Sequence, residues 1–327
     1  MTASLTRNAE DELELEQALT GLAPGPQANI PRSVALLEAA AGGGVAEAHR
    51  YLATLAGAGV GMPQSWAKAF EHLAVAAAAG SDHARGQLTA LAAPDIAARA
   101  GIGGKDPGDR VWRALSESIR PQDWTAPGVK QVLRQSPRTV AIEEFLPRPV
   151  AAWLIDRARG RLARAAVFSQ SDASPALSEA RSNTAFEFPF VENDVVVLLV
   201  RMRIAASIGV PVAALEPSQV LHYNVGEAFA LHHDYLDPNE PGFVADIQAR
   251  GQRIVTFLIY LNDGYEGGET DFPALGLRHR GAAGDALYFG NIDPGGAPDP
   301  RTLHAGLPPT RGEKWLFSQW VRNRALI

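Results

Sequence analysis

The sequence of 327 residues contains no cysteine. Disulfides, thiolate zinc sites and iron-sulfur clusters are thereby excluded, and a metal ion would have to be held by His, Asp and Glu. Nor is there an apolar stretch near the roughly 20 residues that a membrane-spanning helix needs. The opening MTASLTRNAEDELELEQ is polar and acidic, whereas a secretory leader is basic and then apolar, so no membrane is expected as a partner and the cytoplasm is the expected location. Basic charge is also scarce: 30 Lys and Arg against 36 Asp and Glu give a net charge of −6. Without a Lys and Arg cluster there is no surface for a phosphate backbone, and nucleic acid is not an expected partner. What remains is 46% hydrophobic and 20% charged. That balance suits a globular chain with a sizeable core, long enough for a catalytic unit and a smaller accessory one.

Residues 1–30 hold one short charged helical pattern and then the breaker-rich APGPQANIP, which reads as a flexible lead-in. Residues 31–100 are Ala-rich with helical periodicity and repeat at a shift of 36 (73 minus 37): Leu37, Ala40, Ala41, Gly44, Ala48 and Leu52 recur as Leu73, Ala76, Ala77, Gly80, Ala84 and Leu88. Small residues let paired helices approach closely, and the Gly after each first helix supplies a left-handed turn. The pattern resembles Sel1-like repeats, relatives of the tetratricopeptide class, in about two copies. That resemblance implies a protein-contact surface or a homo-oligomer interface, and so short an array is expected to lean on the next domain. Residues 101–127, opening with GIGGKDPGD, read as a linker with a short helix.

From residue 128 the texture changes. QVLRQ and TVAIEEF predict short strands, PRPVAAWLIDRARGRLARA one long amphipathic helix and VENDVVVLLVRMRIAASIG a second. PSQVLHYNV, QRIVTFLIYLND, DALYFGNI and KWLFSQWVR then follow as strand-like runs separated by Gly, Pro, Asn and Asp. Two helices before many short strands predict an α+β fold, with helices flanking an antiparallel sandwich or jelly roll.

Within the β region, YNVGEAFALHHDYLD places His232 and Asp234 two apart. Such a spacing on a strand directs both side chains to one face. Seventy residues on (304 minus 234), RTLHAGLPPTRGEKWLFSQW carries His304 and, opening the next run, Lys314. Two imidazoles and one carboxylate can occupy one face of an octahedron and leave three positions open, the arrangement that suits iron(II). His233 alternates to the other face, and His222 sits beside Tyr223 facing away from it, so both read as packing or surface residues. His279 reads as part of a solvated turn, and His49, His72 and His83 as polar residues between repeat helices. Gly267 and Gly268 suit a tight turn.

The ordered motifs Y-x-x-G-x-x-F-x-x-H-x-D, G-Q-R-x-x-T, Y-L-N-D, G-G-E-T-x-F and H-A-G-x-P-x-x-x-G-E-K-W resemble the catalytic domain of prolyl 4-hydroxylases and their bacterial relatives among iron(II) and 2-oxoglutarate oxygenases. The likeness spans about Val129 to the C-terminus. It implies that residues 128–327 form a distorted double-stranded β-helix in which His232, Asp234 and His304 bind iron(II). By the same match Lys314 would pair with the distal carboxylate of 2-oxoglutarate, Tyr223 and Thr270 would hydrogen-bond near it, and Trp320 would line the pocket. Arg253 and Glu216 would lie near the substrate, with Arg181 on a mobile covering loop. The chain departs from the pattern at Phe229, where Tyr is more usual, and at Arg181-Ser182-Asn183-Thr184, where Arg-Thr-Ser is typical. Both departures fall on substrate-facing positions. The implied activity is hydroxylation of prolyl residues in a peptide or protein, coupled to decarboxylation of 2-oxoglutarate to succinate, with O2 as oxidant and ascorbate as reductant. A free amino acid or other small molecule is the alternative substrate, and a non-catalytic repeat-based scaffold the alternative function.

Overall fold

The computed structural model describes residues 2–93, 96, 108–126, 128–165, 167–168, 175–176 and 180–326. These form two compact units, one of residues 1–125 and 189–202, the other of residues 126–188 and 203–327.

In the first unit the sequence repeat becomes a repeat of helices. Helix α2 (Ile30–Gly42) and α3 (Ala46–Ala58) are followed by α4 (Trp66–Ala78) and α5 (Asp82–Leu91), so each second-pair helix starts 36 residues after its counterpart (66 minus 30, 82 minus 46). The matched residues Leu37, Ala40, Ala41, Ala48 and Leu52, and Leu73, Ala76, Ala77, Ala84 and Leu88, are all buried. Gly44 and Gly80 adopt φ of +97° and +98°, a conformation in which a side chain would be strained. Ser65 and Ser81 cap α4 and α5 by accepting the amides of Lys68 and Ala84 at 3.3 and 3.2 Å.

Two boundaries differ from expectation, and the short helix expected in the linker is present. Residues 1–30 are not a flexible lead-in throughout: α1 (Thr2–Leu22) is 21 residues long, and its Ala18 and Leu22 are buried in a cluster with Leu37, Ala40, Leu52 and Leu55. Leu15, Ala18, Leu19 and Leu22 recur at helical spacing and make one apolar face, a pattern outweighed in the sequence by the flanking charges and breakers. The expected linker contains α6 (Asp109–Ser118), which buries Trp112 and Leu115, while residues 101–107 lie outside the described residues. Residues 189–202, expected in the catalytic domain, group with the helical unit. They include the first half of α8 (Val195–Ile208), where the Val195 amide donates to Gln87 Oε1 at 2.9 Å.

The second unit is built on an antiparallel eight-stranded sheet in the order β1 (Lys130–Gln135), β2 (Arg138–Ile142), β13 (Ala286–Gly290), β9 (Arg253–Tyr260), β16 (Lys314–Arg322), β7 (Ser218–Tyr223), β6 (Thr184–Phe188) and β3 (Ala163–Arg164). A four-stranded sheet runs β12 (Leu277–His279), β11 (Thr270–Phe272), β14 (His304–Gly306), β8 (Phe229–His232). Two short pairs complete it, β4 (Val167–Phe168) with β5 (Pro175–Ala176) and β10 (Glu266–Gly267) with β15 (Pro309–Arg311). The core lies between the sheets: Phe272 of the small sheet meets Phe289 of the large one edge-on at 4.9 Å, in a cluster with Leu221, Leu258, Leu287 and Leu316. This is the distorted double-stranded β-helix, or jelly roll, with flanking helices. One of those, α7 (Arg148–Ala158), is shorter than predicted. Gly160 turns left-handed at φ +78°, and Ala163–Arg164, expected to continue the helix, joins the sheet edge instead. Helix α9 (Pro241–Arg250), between the motif containing Asp234 and β9, was not anticipated.

Candidate active site

Strand pairing assembles the site. His232 closes β8 directly opposite His304, the first residue of β14, so residues 72 apart (304 minus 232) become cross-strand neighbours. Asp234 lies two residues beyond the end of β8, in a bend rather than on the strand as expected, yet its carboxylate meets both rings. Oδ1 is 3.6 Å from His232 Nε2 and Oδ2 is 3.4 Å from His304 Nε2. All three donor atoms fall within 4.8 Å of one another.

The two imidazoles are held in one tautomer. His232 Nδ1 lies 2.8 Å from the Ala230 carbonyl and His304 Nδ1 lies 3.0 Å from the Thr302 carbonyl. A carbonyl only accepts, so each Nδ1 carries a proton and each Nε2 is the nitrogen that faces Asp234 and is placed to serve as a metal ligand. Burial drives His304 down to about 4, with His232 adding to the effect, which keeps it neutral. Burial would by itself raise Asp234, but attraction to His304 and His232 whenever either ring is protonated, together with the Thr256 hydroxyl, holds it far below the usual carboxylate range. Two imidazole nitrogens and one anionic oxygen on one side of a cavity fit iron(II).

That cavity is lined by Arg181, Tyr223, Phe229, Thr270, Lys314 and Trp320 together with the triad. Lys314 opens β16 opposite Tyr223 of β7, and its Nζ stands 4.9 Å from the centre of the Tyr223 ring. The residue is 0% exposed and its ammonium has no hydrogen-bond partner among the described residues. Burial pulls it down to about 7, against the opposing pull of Glu269. A buried cation without a partner is costly, and a carboxylate entering the cavity would relieve that cost. Gly268 makes room for it: a Cβ there would come 2.9 Å from Tyr265 Cε2 and 3.3 Å from Lys314 Cδ. Thr270 shares a 3.0 Å hydrogen bond with the Tyr260 hydroxyl, and burial raises Tyr223 to about 12, so it stays a neutral donor.

The residues expected near the substrate divide. Phe229 stacks on the His232 ring at 3.5 Å with planes 12° apart, and the Arg181 guanidinium lies over the Phe229 ring, 4.6 Å from its centre. Arg181 is 4% exposed and forms an isolated bridge with Phe229. Arg253 and Glu216 are not among the cavity-lining residues. They form a buried bidentate pair at 2.7 and 2.9 Å, to which Arg322 is also joined, and they approach the cavity through Trp320, whose ring lies 3.5 Å below the Arg253 guanidinium.

Of the other histidines, His222 is buried between Glu313, 2.9 Å from its Nε2, and the Trp315 ring. His233 faces the Pro300 carbonyl at 3.1 Å. His49 and His72 meet through their Nδ1 atoms at 3.0 Å, and His83 faces Asp194 at 3.8 Å. His279 is not in a solvated turn. It belongs to β12 opposite Thr270 and is half-buried beside Tyr260, since the small sheet needs it as a strand residue. Sequence reasoning missed two polar residues behind the triad, Thr256 and Asn291, although Thr256 ends the G-Q-R-x-x-T motif within a mostly apolar strand.

Residues 218–322 match the family model described as the 2OG-Fe(II) oxygenase superfamily. Prolyl 4-hydroxylase 1 of Arabidopsis thaliana is 30% identical over 209 residues, covering 60% of this chain and 72% of that protein. Prolyl 4-hydroxylase 5 of the same plant is 31% identical over 211 residues, 58% of this chain and 70% of its own. Among solved structures, the 2OG complex of the viral collagen prolyl hydroxylase from Paramecium Bursaria Chlorella virus-1 is 26% identical, covers 56% of this chain and 95% of that one, and has a TM-score of 0.43. The chain thus belongs to the 2OG-Fe(II) oxygenase superfamily, as a 2-oxoglutarate-dependent dioxygenase homologous to prolyl 4-hydroxylases that uses Fe(II), 2-oxoglutarate and O2.

Proposed function

We propose that this dioxygenase hydroxylates prolyl residues of a peptide or protein, with ascorbate as reductant. The observation that carries the reading of the site is the buried ammonium of Lys314, without a hydrogen-bond partner among the described residues, in the same cavity as the His232, Asp234 and His304 donors. In this assignment the triad holds iron(II) and Lys314 holds the distal carboxylate of 2-oxoglutarate. Bound iron(II) supplies the chemistry, coupling decarboxylation of 2-oxoglutarate by O2 to insertion of one oxygen atom into a C–H bond.

The protein's own part is placement. Asp234 contributes the single negative charge that offsets the metal's, and the backbone-bonded imidazoles keep Nε2 free to coordinate. Lys314 orients the cosubstrate end-on, with the Tyr223 hydroxyl and Thr270 as hydrogen-bonding groups near it. Trp320 and Phe229 close the walls and limit water. Arg181, packed on Phe229 at the cavity, is placed to meet a substrate carbonyl. Arg253 and Glu216 act on substrate indirectly by fixing Trp320. Prolyl substrates are supported by the 30% identity to prolyl 4-hydroxylase 1 over 72% of its length, and a macromolecular substrate by the Sel1-like reading of the helical repeats. The test is succinate release with iron(II) and ascorbate across Pro-containing peptides and free amino acids. Turnover stimulated by Pro peptides and accompanied by hydroxyproline is expected. Stimulation by free amino acids alone would replace this reading with a small-molecule hydroxylase.

A further inference from the structure

We propose that Thr256 and Asn291 form a positioning pair that fixes Asp234 as a one-oxygen metal ligand. This rests on the assignment of iron(II) to His232, Asp234 and His304. Because Asp234 lies beyond the end of β8, the strand does not set its carboxylate plane. The terminal torsion of an Asp side chain is broad and roughly two-fold, so a further contact must choose the orientation.

Thr256 makes that contact. It lies on β9 between Phe289 of β13 and Trp320 of β16, is 1% exposed, and donates its hydroxyl to Asp234 Oδ2 at 2.7 Å. A hydroxyl has only one proton, and its other neighbour decides where that proton points. The neighbour is Asn291, fully buried, whose Nδ2 donates to Thr256 Oγ1 at 3.0 Å. The backbone of Asn291 is held on both sides, its main-chain N–H donating to the Ile254 carbonyl at 2.8 Å and its main-chain carbonyl accepting from the Asp299 N–H at 3.0 Å. Amide, hydroxyl and carboxylate therefore form a one-way chain of donors in which each bond polarises the next.

The hydroxyl occupies a lone pair of Oδ2, which also faces His304 Nε2 at 3.4 Å, and Thr256 gives no such bond to Oδ1, 3.6 Å from His232 Nε2; Oδ1 is therefore the oxygen assigned to the metal. With one carboxylate oxygen and two nitrogens bound, three of six octahedral positions stay open. A carboxylate binding through both oxygens would take one of those three. Neither Thr256 nor Asn291 is among the cavity-lining residues, so the pair acts through Asp234 alone.

The test uses the full chain, freed of metal and handled without oxygen. Thr256→Val keeps the shape and removes the donor, Thr256→Ser keeps the donor, and Asn291→Asp keeps the shape while offering the hydroxyl an acceptor that draws its proton away. Fe(II) affinity is read by competition with a chromophoric chelator, coordination by the visible spectrum of the Co(II) form, and folding by thermal melting. Thr256→Val and Asn291→Asp are expected to weaken Fe(II) by about 10- to 100-fold, the range for outer-shell partners of metal ligands, and to shift the Co(II) bands, while Thr256→Ser stays near the parent. Should Thr256→Val not fold, Asn291→Asp decides. Parental Fe(II) affinity and an unchanged Co(II) spectrum in a folded Val or Asp variant overturn the pair's role. A parent protein that binds neither Fe(II) nor 2-oxoglutarate overturns the functional assignment as well, so the two failures are distinguishable.

Discussion

Replacing Lys314 with Met keeps the length of the side chain and removes its charge, and the site predicts effects of opposite sign on folding and on binding. The ammonium is buried without a partner among the described residues and sits at about 7 against an ordinary value of 10.5. At about 1.4 kcal/mol per pH unit, holding it in the empty site costs on the order of 4–5 kcal/mol. Met does not incur that cost, so the ligand-free variant should be more stable, and each kcal/mol recovered raises the melting temperature by about 2–4 °C for a unit of this size. In the presence of 2-oxoglutarate the order reverses. Stranding the distal carboxylate in an apolar cavity should weaken its binding by about 2–5 kcal/mol, roughly 30-fold to a few thousand-fold. Lys314→Arg keeps the charge but carries a bulkier planar head, and should fall between parent and Met. Calorimetric titration of the anaerobic Mn(II) form with 2-oxoglutarate, paired with melts with and without the cosubstrate, reads both effects. Equal 2-oxoglutarate affinity in parent and Met variant would refute the anchoring role, and a Met variant destabilised without ligand would show that Lys314 has a structural partner instead.

The same lysine sets a pH dependence. Because its empty-site value is about 7 and a bound carboxylate raises it, 2-oxoglutarate affinity should be flat below pH 7 and fall by up to about tenfold per pH unit above it, with proton uptake visible in buffers of different ionisation enthalpy; this slope should vanish in Lys314→Met. Asp234→Ala removes the only anionic donor of the triad, and chelator competition should find Fe(II) binding lost while the fold is retained. Glu216→Gln removes the carboxylate that Arg253 and Arg322 share and leaves Arg322 with Asp246 alone, and should destabilise the fold by about 3–5 kcal/mol in denaturant unfolding. Burial would raise Glu216, but Arg253 and Arg322 hold it below its ordinary value, so its contribution is present at neutral pH and is lost as pH falls through that lowered value; the Gln variant should show a flatter acid melt. Gly80→Ala forces a side chain into φ of +98°, and should cost about 1–2 kcal/mol in the same measurement.

Much of the catalytic unit could be read from local pattern. Alternation and breakers located β7, β9, β13 and β16, and the ordered motifs that carry the family resemblance pointed to His232, Asp234, His304 and Lys314, which the fold brings to one cavity. The 36-residue shift likewise located four helices, since burying Leu37 and Leu73 needs the same small neighbours in each copy. What local pattern missed depends on partners distant in the chain. α1 packs through Ala18 and Leu22 on helices that follow a breaker-rich stretch. Ala163–Arg164 leaves the helical pattern because a sheet edge at Thr184–Ala185 is there to pair with it. Arg253 and Glu216, 37 residues apart (253 minus 216), became a buried ion pair rather than cavity residues. Thr256 and Asn291 acquired a role only when β9 and the residue following β13 were laid behind Asp234. Sequence determines which donors and charges are available, since side-chain chemistry is fixed residue by residue. Tertiary structure decides which of them are desolvated together, because hydrogen bonding and ion pairing act over only a few ångströms and are set by strand register rather than by distance along the chain.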